Sequence, residues 1–218
     1  MSKTKKNNNK LIAGILVVVL IAGVCIASAY YAVNGGSFFN RVLSSDDFSG
    51  TLSKWTISTG IWTIANGELN GRGNGSEIAN LLLNIDVGKD YEITFKTHLE
   101  FNWYISGQDE DIIRQAVWRY TDNNNYYFGG ATIGGVAYYR GAIKIHNSGI
   151  SSTLSYDDYD YASGWTQIKI VVKGSTFTLY INEIQICTAT DTTYTTGKVG
   201  LSVYGSEVHF DDFKIVAI

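Results

Sequence analysis

The chain has 218 residues, enough for one domain of ordinary size and a targeting segment, with 13% aromatic residues, 23 glycines and no proline. This composition favours strands joined by glycine turns over helices. The first 33 residues carry four lysines and no acid, which leaves 13 basic and 20 acidic residues for the remainder; that balance argues against nucleic acid as a partner, because phosphate binding needs a basic face.

The N-terminus has the pattern of a membrane-targeting helix over residues 1–33. Lysines precede an uncharged apolar run of 23 residues over 11–33, and about 20 such residues span a bilayer as a helix. The positive charge before the run predicts a single-pass anchor in the cell membrane, with the N-terminus inside and the following domain outside. The small-x-small sequence Ala27-Ser28-Ala29 leaves open a cleaved signal peptide and a secreted domain, with cleavage near Ala29.

After a short linker over 34–44, residues 45–218 have the pattern of a β domain. Apolar residues alternate with polar ones in several segments, and turn signals such as Asn66-Gly67 separate them. The alternating segments are Tyr91–Leu99, Ile168–Val172, Phe177–Ile181, Val199–Val203 and Val208–Ile215. Many short strands of this kind predict an all-β fold in which two antiparallel sheets pack face to face as a sandwich.

Eight motifs follow one another along this domain: Asp46–Gly50, Trp55, Gly60–Ile64, Asn66–Leu69, Val117–Tyr127, Gly164–Ile170, Gly197–Leu201 and Asp211–Phe213. In this order they resemble the concanavalin A-like, laminin G-like jelly-roll superfamily over residues 45–218. The resemblance implies a jelly-roll sandwich. The superfamily includes carbohydrate-binding modules, lectins, adhesive modules and 3-keto-disaccharide hydrolase-type domains, so the fold alone does not choose a function. Glu183 and Asp212 depart from the pattern, which usually has glycine and asparagine there.

The sequence contains no recognised catalytic signature. Retaining glucanases of this fold carry a Glu-x-Asp-x-x-Glu strand motif that sets two carboxylates on one face, and no acidic cluster has that spacing. His98, His146 and His209 lie far apart in sequence and lack the close spacing of paired zinc ligands. We therefore expect a binding protein more than an enzyme, with a hydrolase of the 3-keto-disaccharide type as one alternative.

Aromatic and polar side chains on one face predict a glycan-binding patch, because sugar rings stack on exposed aromatic rings. Alternation places Arg119 outside if Trp118 points inward, and Tyr127 outside if Tyr126 points inward. The predicted glycan-binding residues are His98, Glu100, Trp103, Arg119, Tyr127 and Tyr139. Core positions are expected instead for Trp55, Trp62 and Trp165. The alternative to glycan binding is a structural or adhesive surface module that contacts protein through a flat face.

Carboxylates near the two ends of the domain predict a structural calcium site. The ends of jelly-roll chains often lie side by side, and calcium prefers carboxylate oxygens. The candidate ligands are Asp46, Asp47, Asp211 and Asp212. No other cofactor is implied.

Overall fold

The computed structural model describes residues 40–73, 77–99, 112–134, 138–160, 164–205 and 207–218. Within these residues the chain forms a short 3-10 helix at Leu52–Lys54 and fifteen β-strands. The strands are β1 Arg41–Asp46, β2 Trp55–Ile57, β3 Ile61–Ala65, β4 Glu68–Arg72, β5 Ala79–Leu83, β6 Tyr91–Leu99, β7 Ile112–Asp122, β8 Asn125–Gly134, β9 Tyr138–Asn147, β10 Ile150–Asp158, β11 Thr166–Lys173, β12 Thr176–Ile181, β13 Ile184–Thr190, β14 Lys198–Tyr204 and β15 Val208–Ala217. No helix in this part of the chain is long and apolar enough to cross a membrane, and the segment predicted over 11–33 lies outside the described residues.

The strands pair into two antiparallel sheets. The eight-stranded sheet has the order β13-β12-β11-β6-β15-β4-β3, with β1 also paired to β15, and the seven-stranded sheet has the order β10-β9-β8-β7-β14-β5-β2. The predicted all-β sandwich of two antiparallel sheets is therefore confirmed. β1 begins at Arg41, inside the segment 34–44 predicted as a linker, and Arg41 pairs with Ala217 at the end of β15.

The main hydrophobic core lies between the sheets and follows the predicted alternation. In β6, Tyr91, Ile93 and Phe95 are buried while the residues between them are more exposed, and burying each such side chain contributes about 1.5–3 kcal/mol. The predicted core positions of Trp55 and Trp62 are confirmed. The core position predicted for Trp165 is wrong.

A β-bulge in β7 interrupts the alternation. Val117 pairs with Gly200 of β14 and Tyr120 pairs with Lys198, so β7 has two residues between these pairs where β14 has one. The extra residue is accommodated at Arg119, whose φ is +49°, and a bulge of this kind turns two successive side chains toward the same face. As a result, Trp118 and Arg119 both lie in the interior.

Candidate functional site

Among the described residues, the structure does not bring the predicted glycan-binding residues together, and the outward orientation predicted for Arg119 is wrong. Because of the bulge, Arg119 points between the sheets and is only 4% exposed. Its guanidinium donates hydrogen bonds to the carbonyl oxygens of Tyr194, at 2.8 Å, and of Gly174. It also lies over the ring of Phe177, 5.1 Å from the centroid. Arg119 therefore ties loops of the sandwich together and offers no surface to a ligand.

The outward orientation predicted for Tyr127 is also wrong. Tyr127 is fully buried, packs against Phe177 at 4.6 Å between ring centroids and donates a hydrogen bond to Asp191 at 2.5 Å. Burial raises the pKa of its hydroxyl to about 12. Alternation along β8 holds, but its phase is reversed. The neighbour Tyr126 faces the other side of the sheet, where it belongs to a second buried apolar cluster.

Of the other predicted residues, the structure describes His98 and Tyr139, and these two lie on different sheets. His98 lies on the outer face of the eight-stranded sheet, in β6. Tyr139 lies in β9 of the seven-stranded sheet, with its ring 6.1 Å from that of Tyr159. Glu100 and Trp103 lie outside the described residues. Among the predicted glycan-binding residues that the structure describes, His98 alone lies on the accessible outer face of the eight-stranded sheet.

The predicted calcium ligands near the start of the domain already accept hydrogen bonds. Asp46 accepts from the Nε1 atom of Trp55 at 2.9 Å and from the backbone of Phe48 at 3.0 Å. Asp47 accepts from the hydroxyl and the backbone of Ser49, and these bonds hold the pKa of its carboxyl below the usual value. The two carboxylates therefore stabilise the turn that follows β1.

The ligands near the end of the domain lie beside them, as expected, because Asp46 pairs with Phe213. Asp212 forms an ion pair with Lys96 at 2.7 Å. Burial, with a contribution from the charge of Asp212, raises the pKa of Asp211. The calcium site remains a prediction, and an ion there would replace several of these bonds.

An open groove of about 610 Å³ runs over the outer face of the eight-stranded sheet, within the size range of small-ligand sites, roughly 300–1,000 Å³. Asp46, Asp47 and Asp212 line it, with Gln167 and Thr94. Its lysines are Lys54, Lys96, Lys169 and Lys214, and its other carboxylates are Glu92 and Glu183. The opposite charges nearly balance, so the groove suits a polar ligand without a large net charge.

Next to the groove, four side chains from four strands or strand ends form what we term the Trp165 cluster: Glu68, His98, Trp165 and His209. Trp165 is 40% exposed and meets the ring of His98 edge-on at 4.3 Å between centroids. Glu68 accepts hydrogen bonds from His209 at 2.9 Å and from His98 at 3.3 Å. The cluster adjoins the groove, since Gln167 and Lys96 line the groove and form a cross-strand pair two residues along from Trp165 and His98.

One signal in the sequence does indicate the outward position of Trp165. Trp165 stands two residues before Gln167 and four before Lys169, which are both on the polar face of β11, so the period of two places Trp165 on that face. The contact between Glu68 and His209 has no such local signal, because the two residues are 141 positions apart in the sequence. Only the pairing of β4 with β15 brings them together.

The sequence model of one protein family, described as a 3-keto-alpha-glucoside-1,2-lyase-like domain, matches residues 39–216. No curated protein sequence matches the chain.

Solved structures with similar folds include carbohydrate-binding proteins. The carbohydrate-binding module CBM66 from Bacillus subtilis is 17% identical with a TM-score of 0.63, and the match covers 75% of this chain and 96% of that one. The Emp47p carbohydrate recognition domain is 9% identical with a TM-score of 0.60, over 81% of this chain and 97% of that one. Xylan beta-1,4-xylosidase from Bacillus halodurans C-125 is 17% identical with a TM-score of 0.60, over 82% of this chain but 40% of that one. At these identities the likeness establishes a concanavalin A-like fold and no more.

Proposed function

The chain belongs to the family of 3-keto-alpha-glucoside-1,2-lyase-like domains, and we propose that it binds carbohydrate on the outer face of its eight-stranded sheet. The observation that carries this proposal is the exposed indole of Trp165 beside a polar groove. An aromatic ring at a surface offers an apolar plane to the C–H face of a sugar at a small cost in side-chain entropy.

The groove supplies the complementary hydrogen-bonding groups. Gln167 has an amide that both donates and accepts, Thr94 has a hydroxyl, and Lys96 donates only. A sugar ring stacked on Trp165 would extend its hydroxyl groups over these side chains, since Gln167 and Lys96 are a cross-strand pair. The near balance of charge favours a neutral glycan over a polyanion, because a polyanion would need an excess of basic residues.

The proposed place of action is outside the cytoplasm. The apolar run over 11–33 and the lysines before it support a single-pass anchor at the cell membrane, and a secreted domain is the alternative. In either case the sandwich meets glycans of the cell surface or its surroundings. The groove also favours glycan binding over the adhesive alternative, for which a flat face is expected.

A glycan-array screen of the full-length chain in mild detergent tests the proposal. We expect binding to neutral glycans that falls at least about tenfold in Trp165→Ala, which is the size of effect typical of an aromatic anchor. The matched control is Tyr156→Ala, which removes a 56% exposed aromatic from β10 of the other sheet. Binding that is equal in the wild type and Trp165→Ala would contradict the proposed site.

A second candidate function is cleavage of a 3-keto-α-glucoside, which the family description suggests and the contact between His98 and Glu68 favours. In such an elimination a base takes the C2 proton beside the C3 ketone, the electron pair forms a C1–C2 double bond, and the alcohol on C1 leaves. An imidazole paired with a carboxylate is suited to that proton transfer. The test is release of the alcohol from a 3-keto-α-glucoside, which Glu68→Gln should abolish and His146→Gln should leave intact.

A further inference from the structure

Glu68, His98 and His209 bring three metal-ligating atoms together. Oε2 of Glu68 lies 2.9 Å from Nδ1 of His209 and 3.3 Å from Nε2 of His98, and the three ligand atoms are all within 4.8 Å of one another. Among the described residues, this is the one group of three or more histidines, cysteines or acidic residues with such an approach.

The backbone holds these residues in place. His98 of β6 is directly opposite His209 of β15, which is directly opposite Asn70 of β4, and Glu68 lies two residues before Asn70 on the same face of β4. The two imidazole rings are stacked, with 4.5 Å between centroids and 19° between planes. Ligands on three adjacent strands are therefore fixed by the sheet itself, which lowers the entropy cost of binding an ion.

Two imidazoles and one carboxylate are a donor set for a transition metal. In a tetrahedral site with metal–ligand bonds of about 2.0–2.1 Å, neighbouring ligand atoms lie roughly 3.3–3.5 Å apart. The two separations between Glu68 and the histidines, 2.9 Å and 3.3 Å, therefore need to change by at most about half an ångström. Calcium and magnesium prefer sites made of oxygen atoms alone. We propose that Glu68, His98 and His209 bind a divalent transition-metal ion, with zinc as the best match.

The surroundings favour an added cation. Asp211 follows His209 by two residues on the same face of β15, and its carboxylate interacts electrostatically with those of Glu68 and Asp212. A cation at the cluster would offset the repulsion among these carboxylates, which Lys96 compensates only in part.

Asn70 offers a hydrogen-bond acceptor beside His209. Metal binding through Nδ1 of His209 moves the ring proton to the opposite nitrogen, and ligating histidines commonly donate that proton to a nearby oxygen. Oδ1 of Asn70 is a buried acceptor on the strand position facing His209, and it accepts no hydrogen bond from any residue in the described part of the chain. Three protein ligands leave a fourth position for water, as in zinc sites that remain open to a substrate.

The test uses the full-length chain without a histidine tag, stripped with a chelator, and zinc chloride alone as the probe in titration calorimetry. We expect one equivalent to bind and the melting temperature to rise with zinc, because an ion that binds only the folded state stabilises it. Loss of an outer-shell partner costs about 10- to 100-fold in metal affinity, so His98→Gln or Glu68→Gln should weaken binding by at least about 100-fold. Cobalt(II) should give visible absorption bands in the wild type and lose them in both variants.

The control is His146→Gln, which removes the one histidine that is not a proposed ligand. Nδ1 of His146 contacts Ser151 at 2.8 Å on the other sheet. Zinc binding should be unchanged in it. The proposal is overturned if the wild type binds less than one equivalent, or if His98→Gln and Glu68→Gln bind as tightly as the wild type. Both changes are at half-buried side chains and should leave the chain folded. No sugar is present in the titration, so its failure would leave the proposed carbohydrate binding standing.

Discussion

Replacing Arg119 by methionine should destabilise the domain without any ligand being involved. The variant keeps an unbranched side chain against Phe177 but removes the donors to the carbonyl oxygens of Gly174 and Tyr194. A hydrogen bond to a charged group contributes about 1.5–3 kcal/mol, and a buried acceptor that loses its donor costs about 1–3 kcal/mol.

The expected loss is smaller than the sum of these effects, because methionine no longer requires a charge to be removed from water. We expect the free energy of unfolding to fall by about 2–4 kcal/mol. With a urea dependence of about 2–3 kcal/mol per molar, the midpoint of urea unfolding should move down by roughly 1 M. Unfolding followed by tryptophan fluorescence measures this directly.

Arg140→Met is the matched control. Arg140 lies on β9 at the surface, 3.3 Å from Asp158 and over the ring of Tyr156, where an ion pair contributes about 0–1 kcal/mol. If Arg119→Met unfolds at the same urea concentration as Arg140→Met and instead loses glycan binding, the assignment of Arg119 to the interior is refuted.

Three further changes test the packing. Gly197→Ala should lower the free energy of unfolding by at least about 1–3 kcal/mol in a thermal or urea melt, because its new Cβ would lie 2.4 Å from the backbone of the β7 bulge. The control Gly50→Ala has open space around it and should change that free energy little. Equal melts of the two variants would contradict the close approach at Gly197. Burial raises the pKa of the Cys187 thiol to about 11, so in a variant whose other cysteine is serine the native protein should react with a thiol reagent at pH 8 about 100-fold more slowly than the unfolded chain, and equal rates would contradict this burial. Burial raises the pKa of Asp191, but hydrogen bonds from Tyr127 and neighbouring groups outweigh it and hold that pKa below its usual value. The stability that these hydrogen bonds contribute is therefore present above about pH 4 and is lost as the pH falls through the lowered pKa. The difference in unfolding free energy between the wild type and Tyr127→Phe should shrink below about pH 4, and a difference that stays constant with pH would refute this coupling to Asp191.

The sequence predicted the sandwich because strand patterning is a local property. In β6 the alternation of apolar and polar residues also gives the orientation correctly, since one face is in the core and the other carries Lys96 and His98. The same rule failed in β8, where residues 126–130 are buried on both faces of the sheet. Without a polar face, the period of two does not say which side of Tyr127 is the interior.

The bulge at Arg119 could not be read from the local pattern either. It depends on pairing with β14, about 80 positions away, and on the close approach that Gly197 allows. The Trp165 cluster is similar, because Glu68, His98 and His209 meet only through strand order. Local sequence thus predicted the elements, while the candidate site was set by register between distant strands.

The most direct test of carbohydrate binding through Trp165 is calorimetric affinity for the strongest neutral glycan found on the array, measured for the wild type, Trp165→Phe and Trp165→Ala. We expect the phenylalanine variant to keep part of the affinity, since it still offers a ring, and the alanine variant to lose at least about tenfold. Thermal melts should show little change, because Trp165 is 40% exposed. Unaltered affinity in a folded Trp165→Ala variant would contradict the central claim.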